Sequence, residues 1–387
     1  MYKIQTLNKI SPIGLNVLPP ERFSVVDEEA NPDAILLRSF KMHDMALPAS
    51  LKAIGRAGAG VNNIPVEKCT EQGIVVFNTP GGNANAVKEL VIAALLLSSR
   101  GIVEGINWAN SEKGTPDLAK LVEQEKSRFA GNEIAGKKLG IIGLGAIGVL
   151  VANAALDLGL EVAGIDPYIS IDAAWNLHSS VIHSNSYDEL ADCDYITIHT
   201  PYLPETKGLI NAELMGKLKT GVKILNFARG ELVNKEDMLA AIDSGKVGKY
   251  ITDFPEEDLV GLPNIVCIPH LGASTEESEE NCAKMAASEV KAYLEKGTIL
   301  NSVNFPNCQL TFKAKHRLCI AHRNVPNMIA SFMEIISENG LNIDDMINKS
   351  RDNIAYTLID INAPVDASIV EKIQSHENVI FARLLDK

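Results

Sequence analysis

Short apolar runs alternate with helix-period stretches from the N-terminus to about residue 275. That alternation predicts βαβ units and a parallel sheet. In the first block the candidate strands are DAILLRS (33–39), LKAIG (51–55) and GIVVFN (73–78). A helix-like run from Asn85 to Ser99 is apolar on nearly all sides, so it is expected to be buried. Residues 101–135 are polar and carry Gly114, Pro116 and Gly131, with Gly136 just after, which reads as a segment crossing between two domains. Six further strands follow: LGII, EVAGID, DYITIHTP, VKILNFARG, GKYITDF and NIVCIPH. Each ends in polar or glycine residues, and in an open α/β sheet those carboxyl ends are where ligands bind. An amphipathic helix from Thr275 to Lys296 leads back toward the first block. Beyond a polar link, the pattern reads strand (RLCIAHR), helix (Asn327–Asn339), strand pair (343–362), helix (Ala367–Gln374) and strand (VIFARLL), a βαββαβ order.

Composition narrows the partners. Hydrophobic residues make up 46% and charged residues 22%, as in ordinary globular chains. The net charge of −13 argues against a nucleic-acid or anionic-membrane surface, so any anionic ligand needs a local cluster of cations or backbone N–H groups. The first residues lack the apolar core of a signal peptide, and the run LVIAALLL (90–97) is too short to span a bilayer. The cysteines are scattered without a CxxC pair, which suggests reduced thiols and a cytoplasmic location.

The strongest local motif is Gly143-Leu144-Gly145-Ala146-Ile147-Gly148, a G-x-G-x-x-G turn after the strand LGII and before the helix VLVANAALDLG. Such glycines allow a tight turn and close approach of backbone to a pyrophosphate, which sits at the helix N-terminus. The next strand ends in Asp166, placed to accept bonds from ribose hydroxyls. Its charge repels a 2′-phosphate, which favours NAD over NADP.

Hydride transfer from a secondary alcohol needs an acid/base for the hydroxyl proton and a cation for the substrate. Arg229 ends the strand VKILNFARG, and its planar guanidinium can grip a carboxylate. His270 ends NIVCIPH, and a histidine both donates and accepts a proton near neutral pH. Between them lie Asp253, Glu256, Glu257 and Asp258, acids that could orient the imidazole. His199 also ends a strand, and with Thr200 and Pro201 it reads as part of the cofactor wall. His43, His178, His183, His316 and His376 have no such setting and read as surface residues. The acids have no His or Cys partners at metal spacing, so no metal is expected.

GRAGAGVNNI (55–64), FNTPGGNANAVKEL (77–90), GKKLGIIGLGAIG (136–148), HTPYLPETKGLI (199–210), NFARGELV (226–233) and PHLGASTEES (269–278) together resemble the D-isomer-specific 2-hydroxyacid dehydrogenases. The resemblance implies a Rossmann-type cofactor domain (96–280) inserted in a flavodoxin-like substrate domain (1–95 and 281–305). It implies an Arg/Glu/His set with Arg229 and His270 at matching positions. The family's D-V-F-x-x-E-P is D-F-P-E-E-D here; counting from Asp253 gives Asp258, whereas aligning on Phe-Pro gives Glu257, the favoured acid, ahead of Asp258 and Glu256. The shift also leaves open whether Asp253 or Thr252 faces the nicotinamide. NAD would be held by Gly143, Gly145, Ala146, Ile147, Gly148, Asp166, His199, Thr200, Pro201, Thr206, Phe227, Ala228, Arg229, Asp253, His270, Gly272 and Ala273. Ala146 stands where many members have arginine, so a charge on the pyrophosphate is missing. Substrate would meet Arg38, Ser39, Arg56, Asn78 and Gly81 together with Arg229 and His270; Lys88 is given no role.

HRNVPNMIASFMEIISENGLNIDDM (322–346) resembles the start of an ACT domain, which implies that residues 315–387 form a ferredoxin-like βαββαβ regulatory module of a kind that commonly binds an amino acid at a dimer interface. The resemblance places His322, Asn324 and Asn342 at an L-serine site, with Asn327 replacing a usual glycine. The expected reaction is NAD-dependent oxidation of 3-phospho-D-glycerate to 3-phosphohydroxypyruvate, the first step toward serine, in a homodimer or homotetramer. Alternatives are another D-2-hydroxyacid (glycerate, lactate or 2-hydroxyglutarate) or an NAD-sensing corepressor.

Overall fold

A computed structural model describes every residue from 1 to 387. The chain divides into two compact units, residues 1–83 with 276–387, and residues 84–275.

The first unit starts with a parallel sheet of β1 (Tyr2–Leu7), β2 (Phe23–Val26), β3 (Ala34–Leu37), β4 (Ala53–Arg56) and β5 (Val75–Phe77), in the order β2-β1-β3-β4-β5. Short helices α1 (Pro12–Leu15) and α2 (Val66–Glu71) connect these strands. β1 and β2 do not stand out as apolar runs. Gln5 and Thr6 interrupt β1, and both donate to Asp27 far along the chain, to its backbone oxygen (3.1 Å) and its carboxylate (2.6 Å).

The second unit is a seven-stranded parallel sheet built from β6 (Lys138–Ile142), β7 (Glu161–Ile165), β8 (Ile182–His183), β9 (Tyr195–Ile198), β10 (Val222–Asn226), β11 (Val247–Thr252) and β12 (Ile265–Cys267). The order β12-β11-β10-β9-β6-β7-β8 reverses direction between β6 and β9, the crevice where doubly wound folds bind ligands. Its helices are α3 (Ala84–Ser99), α4 (Ile102–Ser111), α5 (Leu118–Glu125), α6 (Ala146–Asp157), α7 (Ile171–Asn176), α8 (Ala212–Lys217) and α9 (Lys235–Asp243). Two features differ from the sequence reading. The boundary falls before α3 and after Thr275 rather than at 95/96 and 280/281, because the buried face of α3 (Val87, Val91, Ala94, Leu95) joins the core of α6 and the sheet. The polar 101–135 segment forms α4 and α5; Glu104 anchors it by an ion pair to the largely buried Lys249 (2.6 Å), and Trp108 packs on Phe129.

The chain then returns to the first unit through α10 (Glu276–Lys296). Ala283 on α10 lies so close to α1 that a Cβ at Gly14 would fall 2.3 Å from its methyl, so only glycine fits there. The C-terminal residues form β13 (His316–Arg323), α11 (Met328–Glu338), β14 (Asp345–Arg351), β15 (Ile354–Ile361), α12 (Ala367–Gln374) and β16 (Val379–Asp386), an antiparallel sheet in the order β14-β15-β13-β16.

This module is not a separate unit. Leu318, Ile320, Ile359 and Ile361 face α11 and α12. The alternate positions Cys319, Ala321, Tyr356 and Leu358 share a core with Phe77, Val290 and Tyr293. Burial on both faces explains why every residue of β15 is buried. Polar clamps line the seam. Arg317, fully buried, holds Asp360 with two bonds (2.6 and 2.8 Å) and donates to the carbonyls of Lys296 and Leu310. Tyr356 donates to Gly297 O (2.9 Å), and Arg383 donates to Tyr293 O (2.6 Å).

Candidate active site

In the second unit the predicted cofactor residues gather at the carboxyl edge of one parallel sheet. β6 runs into Gly143, whose φ of +96° turns the chain sharply. A Cβ there would lie 2.8 Å from the His199 carbonyl, and one at Gly148 would lie 2.0 Å from Gly143 O. A Cβ at Gly145 would meet nothing, so the N-terminal side of α6 is an open cradle of backbone N–H groups, suited to a pyrophosphate. Ala146 is exposed at the same turn. Asp166, just past β7, accepts from Leu144 N–H (2.8 Å) and Tyr168 N–H (2.9 Å), which ties the acid to the glycine loop. A cavity of about 730 Å³ opens beside it, lined by Pro167, Ile169, His183, Tyr187 and Lys217 among others.

Three buried polar atoms on this edge have no partner: His199 Nδ1, Thr200 Oγ1 and Asp253 Oδ1. Such atoms are costly to bury unless something arrives to bond them. They sit at the ends of β9 and β11, where a dinucleotide along the strand ends would pass, so the donor set fits NAD. Burial pushes the His199 imidazole down to about 3, so it stays neutral, and its Nε2 is already bonded to Thr197 Oγ1 (3.0 Å). Thr206 is spent on its own loop, donating to Pro201 O (2.8 Å) and accepting from Leu203 N–H (2.8 Å).

Arg229 is exposed and extends from a loop held by the buried Asn226. The Asn226 amide donates to Arg229 O (2.8 Å) and accepts from Ala228 N–H (3.2 Å). Asn226 was legible only as a strand residue, yet it sets where Arg229 emerges and how Phe227 and Ala228 lie. The Asp253 carboxylate, 1% exposed, accepts from Gly272 N–H (3.0 Å), and its carbonyl accepts from His270 N–H (3.0 Å). Burial raises its pKa, while the Gly272 amide and the charges of His270 and Arg229 oppose the rise. Asp253, not the hydroxyl of Thr252, thus carries the open oxygen, because Thr252 Oγ1 is occupied by Phe254 N–H (3.1 Å).

His270 lies three residues beyond β12 in a turn with φ of +39°, a conformation unusual outside glycine, and its ring meets the edge of Phe254 at 5.0 Å. The Glu257–His270 pair is not formed: neither side chain makes a hydrogen bond or ion pair here. Its rivals are engaged elsewhere, because Lys235 at the start of α9 holds both Glu256 (2.8 Å) and Asp258 (2.7 Å). Glu257 remains as the exposed, unpaired acid of the three.

In the first unit the substrate candidates also lie at strand ends. Arg38 follows β3 and is ion-paired with Glu279 of α10, so it is less available than its sequence position suggests. Exposed Ser39 follows it. Arg56 donates to Arg38 O (3.1 Å) and folds its guanidinium over Gly58. Asn78 donates through its side chain to Ala59 O (2.6 Å), and Thr79 N–H reaches Gly58 O (3.1 Å). These bonds lock the 55–60 and 78–82 loops together, with Gly81 exposed at φ +81°.

Comparison with known proteins agrees with this arrangement. The family model for the D-isomer specific 2-hydroxyacid dehydrogenase NAD binding domain matches residues 92–272. D-3-phosphoglycerate dehydrogenase of Haemophilus influenzae is 31% identical over 349 residues, which cover 87% of this chain and 81% of that one. The chain belongs to the D-isomer-specific 2-hydroxyacid dehydrogenase family. D-3-phosphoglycerate dehydrogenase of Synechocystis sp. is 33% identical over 328 residues, covering 79% of this chain and 56% of that relative. Several of the curated relatives are longer, and this chain spans about half their length. A solved NAD+-bound 3-phosphoglycerate dehydrogenase from Entamoeba histolytica shares 27% identity at a TM-score of 0.60, covering 78% of this chain and 98% of that one. The second unit is therefore the NAD-binding domain of this dehydrogenase family, and no helix is long and apolar enough to cross a membrane.

The predicted effector residues of this family member fare unequally. His322 is 2% exposed, with Nδ1 on Arg323 O (2.8 Å), Nε2 on Thr357 Oγ1 (3.1 Å) and its ring against Phe332. It is a core residue with both nitrogens occupied. Asn324 and Asn342 are exposed, and Asn324 braces the β14–β15 turn through Asp352 O (3.1 Å).

Proposed function

We propose that this chain oxidises the C2 hydroxyl of 3-phospho-D-glycerate to 3-phosphohydroxypyruvate with NAD. The carrying observation is that Arg229, Asp253 and His270 share one sheet edge with the glycine cradle, with Arg229 and His270 both exposed. When bound, NAD supplies the acceptor for the hydride leaving C2. His270 takes the hydroxyl proton, so the alcohol loses one hydride and one proton and becomes a ketone. Arg229 holds the carboxylate and polarises the developing carbonyl. Glu257, released from competition by Lys235, swings onto the imidazole and stabilises its cation. Asp253 Oδ1, His199 Nδ1 and Thr200 Oγ1 hold and orient the cofactor. Arg56, with the locked 55–60 and 78–82 loops, carries the phosphate end, with Ser39, Asn78 and Gly81 around it and Arg38 in a supporting role. The relatives with this name at 31–33% identity support the substrate choice.

The C-terminal module acts in this reading as an amino-acid sensor of ACT type, with Asn324 and Asn342 as the exposed contacts for L-serine. β14, an edge strand with its side chains mostly exposed, supplies a surface for pairing with a second copy of the chain. The test is NADH formation with 3-phosphoglycerate and a panel of D-2-hydroxyacids, with and without L-serine. Turnover of 3-phosphoglycerate above the others supports the assignment. Turnover confined to an unphosphorylated acid overturns it.

A further inference from the structure

A cavity of about 350 Å³ opens where β14 of the C-terminal module meets the end of β5 and the segment after α10. Its walls include Asn78, Asn301, Ser302, Lys349, Ser350 and Arg351, and no carboxylate lines it, in a chain of net charge −13. Lys349 makes no ion pair, and Arg351 spends one N–H on Ser302 O (3.0 Å), which leaves the rest of its fork for a ligand. The acid behind the wall is Glu289, 8% exposed, which accepts from Asn301 Nδ2 (2.7 Å) while its other oxygen stays unpartnered. Burial pushes its pKa up to about 8, so at neutral pH it does not cancel the cations. Two cations, several amide and hydroxyl groups, and a ligand-sized void make an anion site.

β14 keeps this site apart from the effector positions named above. Asn348 points to the helix-covered face, where it accepts from Thr357, the partner of His322. Lys349 and Arg351 lie on the opposite face with Ile347, which packs on the core shared with the first sheet. The cavity also touches the substrate loop. Asn78 N–H donates to Asn301 O (3.3 Å) and its side chain to Ala59 O (2.6 Å), so a ligand held by β14 would press on the 55–60 and 78–82 loops.

We propose that this cavity is an effector site for a small metabolite anion, a phosphate monoester or a dicarboxylate, and that its occupancy shifts substrate affinity through Asn78. The coupling half rests on the reading of those loops as substrate-binding; the binding half does not. Calorimetric titration of inorganic phosphate and, separately, succinate into the full chain without NAD tests it and separates the two anion sources. Binding of one or both is expected in the wild type and in Arg56→Gln and Arg229→Gln, with a loss of about ten- to hundredfold in Lys349→Glu, an exposed position that tolerates the change. Equal affinity in wild type and Lys349→Glu overturns the site, as does loss of binding in Arg229→Gln. The bound anion is then expected to change the 3-phosphoglycerate KM by about fivefold or more in the wild type and not in Lys349→Glu. An unchanged KM alongside Lys349-dependent binding overturns the coupling. Lys349-dependent binding in a chain that oxidises no 2-hydroxyacid upholds the site while the functional reading falls.

Discussion

Asp253 and Asp360 are each 1% exposed, and they stand in opposite situations. Both oxygens of Asp360 are bonded to Arg317, whose remaining donor closes on two carbonyls across the module seam. Asp253 has one oxygen on a backbone amide and the other on nothing, beside two more orphaned polar atoms at neighbouring strand ends. A buried charge with a full complement of partners marks a joint. A buried charge left half-satisfied marks a place where a ligand completes the set. Changes at the sheet edge should therefore alter catalysis and binding with little effect on stability, and changes at the seam should do the reverse.

The largest effect is expected at the open edge. His270→Gln should lower kcat by about 10²–10⁴ in a steady-state NADH assay while the melting temperature stays put. His199→Gln is the internal control, because an imidazole that burial keeps neutral does not titrate in the working range; it should raise the KM for NAD and leave the pH profile of kcat in place. Equal kcat losses in both variants would end the distinction between them. At the seam, Arg317→Ala leaves Asp360 buried and unpaired and should cost about 3–5 kcal/mol in urea unfolding. The fraction that remains folded should bind NAD normally. A cost below about 1 kcal/mol would mean the shared apolar core, not the ion pair, holds the module.

These contrasts were only partly visible in the sequence. The glycine cradle, Asp166, Arg229 and His270 were legible because each is local: a motif of six residues, or a residue directly after an apolar run. The βαββαβ order was legible for the same reason. What escaped depends on partners distant in the chain. Gln5 and Thr6 hide β1 because their bonds to Asp27 are invisible in a hydropathy pattern. Arg317 reads as the polar start of a strand until Asp360 is seen to face it across β15. His322 was placed at an effector position by resemblance alone, and in the structure it is buried with its ring against Phe332 of α11. Asn226 carries no signal beyond its type, although it shapes the loop that presents Arg229.

Glu289 lies between the two extremes, with one oxygen paired and one open. Its folded-state pKa of about 8 stands above the ordinary 4.5, so the folded chain keeps a proton that the unfolded chain releases. Stability from this group is full below pH 4.5 and is lost as pH rises through 8. Glu289→Gln preserves the bond from Asn301 and removes the titration. It should match the wild type in acid and exceed it by up to about 5 kcal/mol above pH 8 in urea unfolding. Parallel stability curves for the two proteins would show that the acid is already relieved by a partner. Asp253→Asn makes the same comparison at the open edge. Burial raises its carboxylate pKa, so the charged form burdens the fold more as pH rises. The amide can still accept from Gly272, so the variant should be as stable as the wild type or more so at neutral pH. Its KM for NAD should rise by about tenfold, the scale of one lost bond to a charged group.

The smallest effect decides the register of the acid. Lys235 holds Glu256 and Asp258, and its ammonium lowers the Asp258 carboxyl below the usual range. Replacing Asp258 by Asn removes one of two exposed contacts to that lysine, a solvent-screened interaction of little weight. It should leave the pH dependence of kcat/KM where it was. Glu257→Gln removes the one acid of the three that is free to reach His270. The imidazolium loses its counter-charge, so the acidic limb of the oxidation profile, where the base takes up its proton, should move to lower pH by up to about one pH unit, with kcat lowered at every pH. The two single variants share a loop, exposure and net charge change, so any difference between them reads the pairing itself. A shift in Asp258→Asn with none in Glu257→Gln would move the catalytic acid one residue along. It would also mean that the grip of Lys235 on Asp258 is broken whenever the enzyme turns over.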